Sequence, residues 1–344
     1  MAFRLAEGLF SEHVYYPWDV PRIVERALDT LRPKAYIVLE TEIWPSMLSA
    51  LVRRSIPAFL VNGRFSERTA RNIRRFSSFW RSVYDSFDLL LVRSRTDREL
   101  LSGLGISGGK IRVTGDCKVD ALLLRRERAD LAALGPFFRV GSEKPRLSES
   151  CPLFLAGSTH QGEEEMVFEA FRRVQRTFPS GRLVIAPRHP ERGQAVLELA
   201  KQVAPSTLFS ALQGEGSSGK RREWTICVVD RIGLLFELYG VADAAFIGGS
   251  LVDKGGQNIL EPASFGIPFS HGPFMRDFVD AARDLGEAGA SVTVRNADDI
   301  AAGWEAAMRG DVRERAKKGA AAYFRTVGGA AGVSLDEING VMPL

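Results

Sequence analysis

The sequence predicts a doubly wound α/β protein made of two Rossmann-like halves, and three observations lead there. Short apolar runs alternate with charged, helix-like stretches; the runs end in polar or glycine-rich turns; and the alternation lapses over residues 125–150 before it restarts. The division that follows is a first domain over 1–124, a linker over 125–150, a second domain over 151–325 and a tail or helix over 326–344. Ligands of such sheets gather beyond the carboxyl ends of the strands. Two units of this kind facing each other across a cleft account for polar strand ends in both halves.

In the first half, Ala35–Leu39 is continuous and apolar, as in a strand buried on both faces. It ends in Glu40-Thr41-Glu42-Ile43-Trp44-Pro45, and of the two carboxylates Glu42 is expected to face the cleft and Glu40 to lie on the other side of the strand. A helix to Arg54 follows, then a strand over Ala58–Asn62 that ends in Gly63-Arg64-Phe65-Ser66. From Ser66 runs one basic helix carrying Arg68, Arg71, Arg74, Arg75 and Arg81 with Phe76, Phe79 and Trp80. That stripe suits an anionic partner (nucleic acid, phosphorylated lipid or a membrane surface) or is simply a solvated face. Strands over Leu89–Arg93 and Ile111–Thr114 complete the half, with Ser94 capping the helix between them and Gly115-Asp116-Cys117-Lys118 at the last strand end.

The second half repeats the layout. Strands are expected over Pro152–Ala156, Arg182–Ala186, Thr225–Val229, Ala244–Ile247, a short run to Phe269 and Ser291–Arg295. Their ends are Gly157-Ser158-Thr159-His160, Pro187-Arg188-His189-Pro190, Asp230-Arg231-Ile232-Gly233 and Gly248-Gly249-Ser250. Glu163-Glu164-Glu165 opens a helix, where acidic side chains suit the positive end of the dipole. The central stretch is Phe246–Pro273. Two glycine pairs, Gly248-Gly249 and Gly255-Gly256, precede Asn258, a helix cap with Glu261 three residues on. Backbone N–H groups in such a loop can approach an anion closely; a tight capped loop with no ligand has the same residues.

Composition excludes several classes. No apolar run reaches the length of a membrane span. Three cysteines lack metal-ligand spacing, and four histidines include no pair at i, i+3 or i+4, so no metal site is expected. The basic stripe comes with no nucleic-acid-binding motif, and no nucleic-acid partner is expected.

Taken together, six motifs in order resemble the 3-deoxy-D-manno-octulosonic acid (Kdo) transferases: the Glu40–Pro45 turn, Asn62–Arg68, Thr114–Asp120, Ala156–Glu165, Pro187–Arg192 and Gly248–Ala263. The resemblance implies the GT-B fold and transfer of Kdo from CMP-Kdo to lipid A precursor (lipid IVA) in lipopolysaccharide biosynthesis. It also implies inversion, independence of metal and cofactor, and a peripheral position on an anionic membrane surface, the cytoplasmic face of the inner membrane. His13–Asp19 resembles the segment just before the Glu40–Pro45 strand. The family's hydrophobic anchor and the Gly-Glu motif of its proposed general base ordinarily precede that segment. The first domain is therefore expected to be incomplete, and a nucleotide-sugar-binding protein without catalysis, or a GT-B enzyme with another acceptor, stands as the alternative.

Roles carried over from the resemblance complete the expectations. Arg188 is expected on the donor phosphate or cytidine, His189 and Pro190 around the nucleotide, and Ile232 and Gly233 on the phosphate through their amides. Gly249 and Ser250 belong to the same donor site, and Asn258 and Glu261 are expected on the ribose hydroxyls. Glu42 would orient an acceptor hydroxyl or balance developing positive charge; a carboxylate paired to a structural arginine is its plainer reading. Lys118 would meet the sugar carboxylate or an acceptor phosphate, and Arg64 and Arg68 the phosphates of the lipid acceptor.

Overall fold

In the computed structural model of the 344-residue chain, the described residues are 12, 14–65, 67–138, 151–214 and 224–342. They fall into two compact units, one drawn from Met1–Asp120 and Gly328–Leu344, the other from Ala121–Val327. This differs from the sequence division at both ends of the second domain. Residues 125–138 are structured within the second unit: Phe138 stacks on Phe209 at 5.7 Å and meets Trp224 edge-on at 5.9 Å. The end of the chain joins the first unit as the helix Ala330–Val341.

The first unit holds four parallel strands, β1 (Tyr36–Leu39), β2 (Ala58–Gly63), β3 (Leu89–Val92) and β4 (Ile111–Val113), side by side in that order. One face packs Leu60, Leu90 and Val92 against Val24, Leu28, Leu48 and Leu51 of the helices Pro21–Leu31 and Pro45–Arg53. The other buries Phe59, Val61, Leu89 and Leu91 under Ile338 of the C-terminal helix. That cover stops short of β1, where Ile37 and Leu39 remain 45% and 63% exposed while Val38 is buried. Among the described residues this strand lies at the edge of its sheet and is buried on one side only. The basic stretch is also not one helix. Backbone angles at Phe76 (φ −131°, ψ 51°) break it into Glu67–Arg75 and Ser77–Asp85. Ile73 and Val83 anchor the two pieces, leaving Arg71, Arg74, Arg75, Phe76 and Phe79 exposed.

The second unit carries a seven-stranded parallel sheet: β5 (Leu153–Thr159), β6 (Arg182–Pro187), β7 (Ser206–Leu208), β8 (Ile226–Val228), β9 (Ala244–Ile247), β10 (Phe269–His271) and β11 (Ser291–Thr293). Its order, β11-β10-β9-β5-β6-β8-β7, runs outward in both directions from β5. The winding therefore reverses between β5 and β9, the switch point at which a doubly wound sheet opens a crevice beyond its carboxyl edge. Helices close both faces; Trp304, wholly buried, stacks on Phe154 of β5 at 5.1 Å. Strand β7 was not expected from the sequence.

Candidate functional site

The site is built at that switch point. β5 ends in Gly157-Ser158-Thr159 and β9 in Ile247-Gly248-Gly249, joined by a hydrogen bond from the Gly248 N–H to the Gly157 carbonyl at 2.8 Å. Both glycines are dictated by close approach. A Cβ on Gly248 would stand 2.4 Å from the Ser158 carbonyl oxygen, and one on Gly157 would stand 2.3 Å from the Tyr239 hydroxyl. Ser158 itself adopts a left-handed conformation (φ 54°) that ordinary side chains rarely take. Strain of this kind persists where the surroundings impose it, often at ligand sites.

The loop after β9 does not present its amides to solvent. Glu163, wholly buried, inserts its carboxylate among them. One oxygen accepts from the N–H groups of Gly249 (2.7 Å) and His160 (2.9 Å), the other from those of Ser250 (3.0 Å) and Leu251 (2.9 Å). The nest expected to bind an external anion through Gly249 and Ser250 is therefore filled from within. Ser250 is further committed, its Oγ accepting from the Gly272 N–H at 2.7 Å. Glu164, also wholly buried, pairs with Arg192 at 2.6 Å. Burial pushes the Glu164 carboxyl above the usual carboxylate range, with Arg192 opposing the rise. Two of the three acidic residues are thus internal braces, while Glu165 stays exposed in the first turn of the helix.

Beside this braced loop lies an open hollow of about 240 Å³ within the second unit. Arg188, Gly233, Asn258 and Glu261 line it together, as expected of donor-binding residues, along with Ser158, Gln257 and Arg125. Phe236, Leu235 and Tyr239 of the helix Leu235–Val241 supply an apolar wall. Arg188 is carried on the end of β6, its N–H donating to the Thr159 carbonyl at 2.9 Å. Asn258 is not the cap at the helix boundary. The helix starts at Leu260, and Asn258 accepts from the Leu260 N–H at 3.1 Å in an Asx turn while donating to Glu261 Oε1 at 3.3 Å. Burial raises the Glu261 carboxyl above its ordinary range; Arg125 and the bond from Asn258 pull the other way.

Other expected donor residues lie outside the hollow's lining. Ile232 is 84% exposed, and Pro190 opens the short turn Pro190–Arg192 that leads into the helix Gly193–Lys201. His189 packs edge-on to His160 at 6.0 Å and stands 3.6 Å from Glu191. His160 Nε2 is buried without a hydrogen-bond partner, and burial holds that imidazole below its ordinary pKa. Sequence reasoning missed Arg125, because it lies at the end of a helix assigned to the linker's edge. Only its position in the fold brings it to the hollow.

In the first unit the strand ends form an ionic cluster. Lys118 pairs with Glu40 at 2.6 Å, and Arg93 with Asp116 at 2.9 Å. The sequence expectation of Glu40 turned away is corrected here: Glu40 has left the strand in a left-handed conformation (φ 62°), which turns its carboxylate to Lys118. Glu42 is exposed and forms no ion pair among the described residues. Asn62, also left-handed (φ 59°), accepts from the Cys117 N–H at 2.9 Å and so ties two strand ends together. Asp19 receives the N–H groups of Ser46 and Met47 at 3.0 and 2.9 Å, capping the helix that follows the Glu40–Pro45 turn. Arg64 is exposed; the side chain of Arg68, together with Ser66 and His13, lies outside the described residues.

Residues 2–121 match the family model described as 3-Deoxy-D-manno-octulosonic-acid transferase (kdotransferase). The 3-deoxy-D-manno-octulosonic acid transferase of Haemophilus influenzae is 29% identical over 315 residues, 90% of this chain and 70% of that one. The protein of the same name from Aquifex aeolicus is 29% identical over 285 residues, 83% of this chain and 68% of its own length. Over residues 2–121, and along most of its length in these relatives, the chain is similar to the Kdo transferases. It spans only 40% of a third relative, a bifunctional glycosyltransferase/methyltransferase of Fusobacterium nucleatum that is 28% identical over 273 residues. Among solved structures, UDP-GlcNAc 2-epimerase from Neisseria meningitidis superposes with a TM-score of 0.59 at 15% identity, covering 94% of this chain and 80% of its own. A glycosyltransferase from Rickettsia africae gives 0.50 at 15% identity, covering 96% and 83%. These likenesses support the GT-B fold read from the sequence.

Proposed function

We propose that the chain takes CMP-Kdo in the hollow of its second unit and transfers the sugar to a lipid A precursor, with inversion and without metal. The observation that carries the proposal is the meeting of Arg188, Gly233, Asn258 and Glu261 around one hollow at the switch point of the sheet. CMP carries a single phosphate, and an arginine fork with nearby N–H groups can neutralise it as it leaves. Glu261 and Asn258 suit ribose hydroxyls, being an acceptor and an amide held beside each other. In the reaction, an acceptor hydroxyl oxygen bonds to the anomeric carbon as that carbon's bond to the phosphate oxygen breaks. CMP departs with the electron pair, and the hydroxyl proton goes to a base, for which Glu42 is the candidate in this chain. Lys118, already beside a carboxylate at Glu40, suits an anionic group of either substrate.

The acceptor and its location rest on the first unit. Exposed Arg71, Arg74 and Arg75 flank Phe76 and Phe79, which are 63% and 52% exposed. Cations beside exposed aromatic rings suit the headgroup region of an anionic leaflet, in keeping with a peripheral position on the cytoplasmic face of the inner membrane. Arg64 and Arg68 are proposed for the acceptor's phosphates. A transfer assay tests the whole reading. Incubated with CMP-Kdo and lipid IVA in EDTA, the protein is expected to give a product heavier by one or more Kdo residues. Turnover only on adding Mg²⁺ or Mn²⁺ would refute metal independence, and release of CMP with an unmodified lipid would refute the acceptor.

A further inference from the structure

The hollow holds a second guanidinium for which the donor reading above has found no use. Arg125 reaches it from the helix Cys117–Glu127, its guanidinium carbon over the Phe236 ring and 3.9 Å from the centroid. A cation over an aromatic face is attracted to it without spending its N–H donors on the ring. One is spent weakly: Nη2 stands 3.4 Å from Glu237 Oε1, and the other Glu237 oxygen is buried without a partner. The Arg125 side chain is 49% exposed, so this pair is loose and open to exchange. The structure thus presents an arginine that lines an open hollow beside an aromatic ring and makes one long bond to Glu237.

We infer that Arg125 selects the acidic sugar of the donor by receiving its carboxylate, while Arg188 receives the phosphate. The inference rests on the donor reading above. A CMP-activated 3-deoxy sugar acid carries two negative groups, a phosphodiester and a carboxylate, both attached at the anomeric carbon. The hollow offers two arginines. A planar fork matches a carboxylate's two oxygens, and the contact with Phe236 restricts the side chain before binding. Nucleotides whose sugar bears no carboxylate would leave Arg125 with its loose bond to Glu237 and gain nothing from it. The competing role is internal: Arg125 also lowers the raised pKa of Glu261 and faces Glu237, so it could act only by balancing those two carboxylates.

The two roles separate in a pair of titrations, with CMP and with freshly prepared CMP-Kdo, on the wild-type protein, Arg125→Ala and Arg125→Lys. If Arg125 receives the carboxylate, Arg125→Ala weakens CMP-Kdo by about tenfold or more and CMP by less than about threefold, the usual scale of a charge-assisted hydrogen bond. Arg125→Lys, which keeps the charge but not the fork, falls between. Equal weakening of both ligands would overturn the inference and assign Arg125 to the carboxylates of the hollow, as would no weakening of either. Failure of the wild-type protein to bind CMP at all would instead refute the donor reading. Melting temperatures of the variants, measured alongside, identify any loss that comes from unfolding.

Discussion

Replacing Glu163 by alanine should destabilise the second unit by about 3–5 kcal/mol, the range in which breaking a buried hydrogen-bond network falls. Four N–H groups, from His160, Gly249, Ser250 and Leu251, share this one carboxylate in a place water does not reach. Removing it strands all four donors at once, and each buried orphan costs on the order of 1–3 kcal/mol before the loop relaxes. Glutamine should recover part of the loss, since its carbonyl oxygen accepts while its NH₂ opposes an N–H donor. Denaturant unfolding of the two variants checks this. A loss below about 1 kcal/mol for Glu163→Ala would mean that the loop finds other partners easily.

Arg192→Ala is expected to have an effect of similar size, with a pH dependence of definite sign. It leaves Glu164 buried at 0% exposure with no cation, and breaking a buried pair by removing one partner costs about 3–5 kcal/mol. The Glu164 carboxyl already titrates above its ordinary value in the folded chain, so the native state holds a proton that the unfolded state has released. Stability therefore falls as pH rises from the ordinary carboxylate value through the raised one. Without Arg192 the native value rises further, and the fall extends to higher pH. The destabilisation by Arg192→Ala should accordingly be smallest in acid, where Glu164 is protonated in both proteins, and grow toward neutral pH. Unfolding curves across that range that show a constant difference would contradict the assignment.

Much of the fold was legible because its strands are short apolar runs bounded by glycine, proline or charge. Strand β7 was not, since Ser206-Thr207-Leu208 has one aliphatic residue and lies at the sheet's edge, where pairing with β8 and not hydrophobicity defines it. The break at Phe76 escaped because no proline or glycine marks it; the helix on either side simply finds a different anchor in the core. Nor does local sequence reveal that Ile338 returns to cover Phe59 and Leu91.

The site divides in the same way. Arg188, Gly233, Asn258 and Glu261 stand at strand ends or a helix start, where the α/β pattern directs attention, and they do share one hollow. Glu163 read as a dipole partner because three of its four partners are more than eighty residues away in sequence, on the loop after β9. The Gly249 and Ser250 amides meet Glu163 for the same reason: a glycine loop looks alike whether its anion comes from a ligand or from the chain. Glu40 meets Lys118 because the strand ends at Leu39 and a left-handed residue then redirects the side chain.

Calorimetry with CMP tests the central claim, that the hollow of the second unit is a cytidine monophosphate site. CMP should bind the folded protein while UDP and ADP at equal concentration do not compete. Arg188→Ala should weaken CMP by about 1.5–3 kcal/mol with the melting temperature of the free protein unchanged. No heat with CMP, or an affinity that Arg188→Ala leaves untouched, would contradict it.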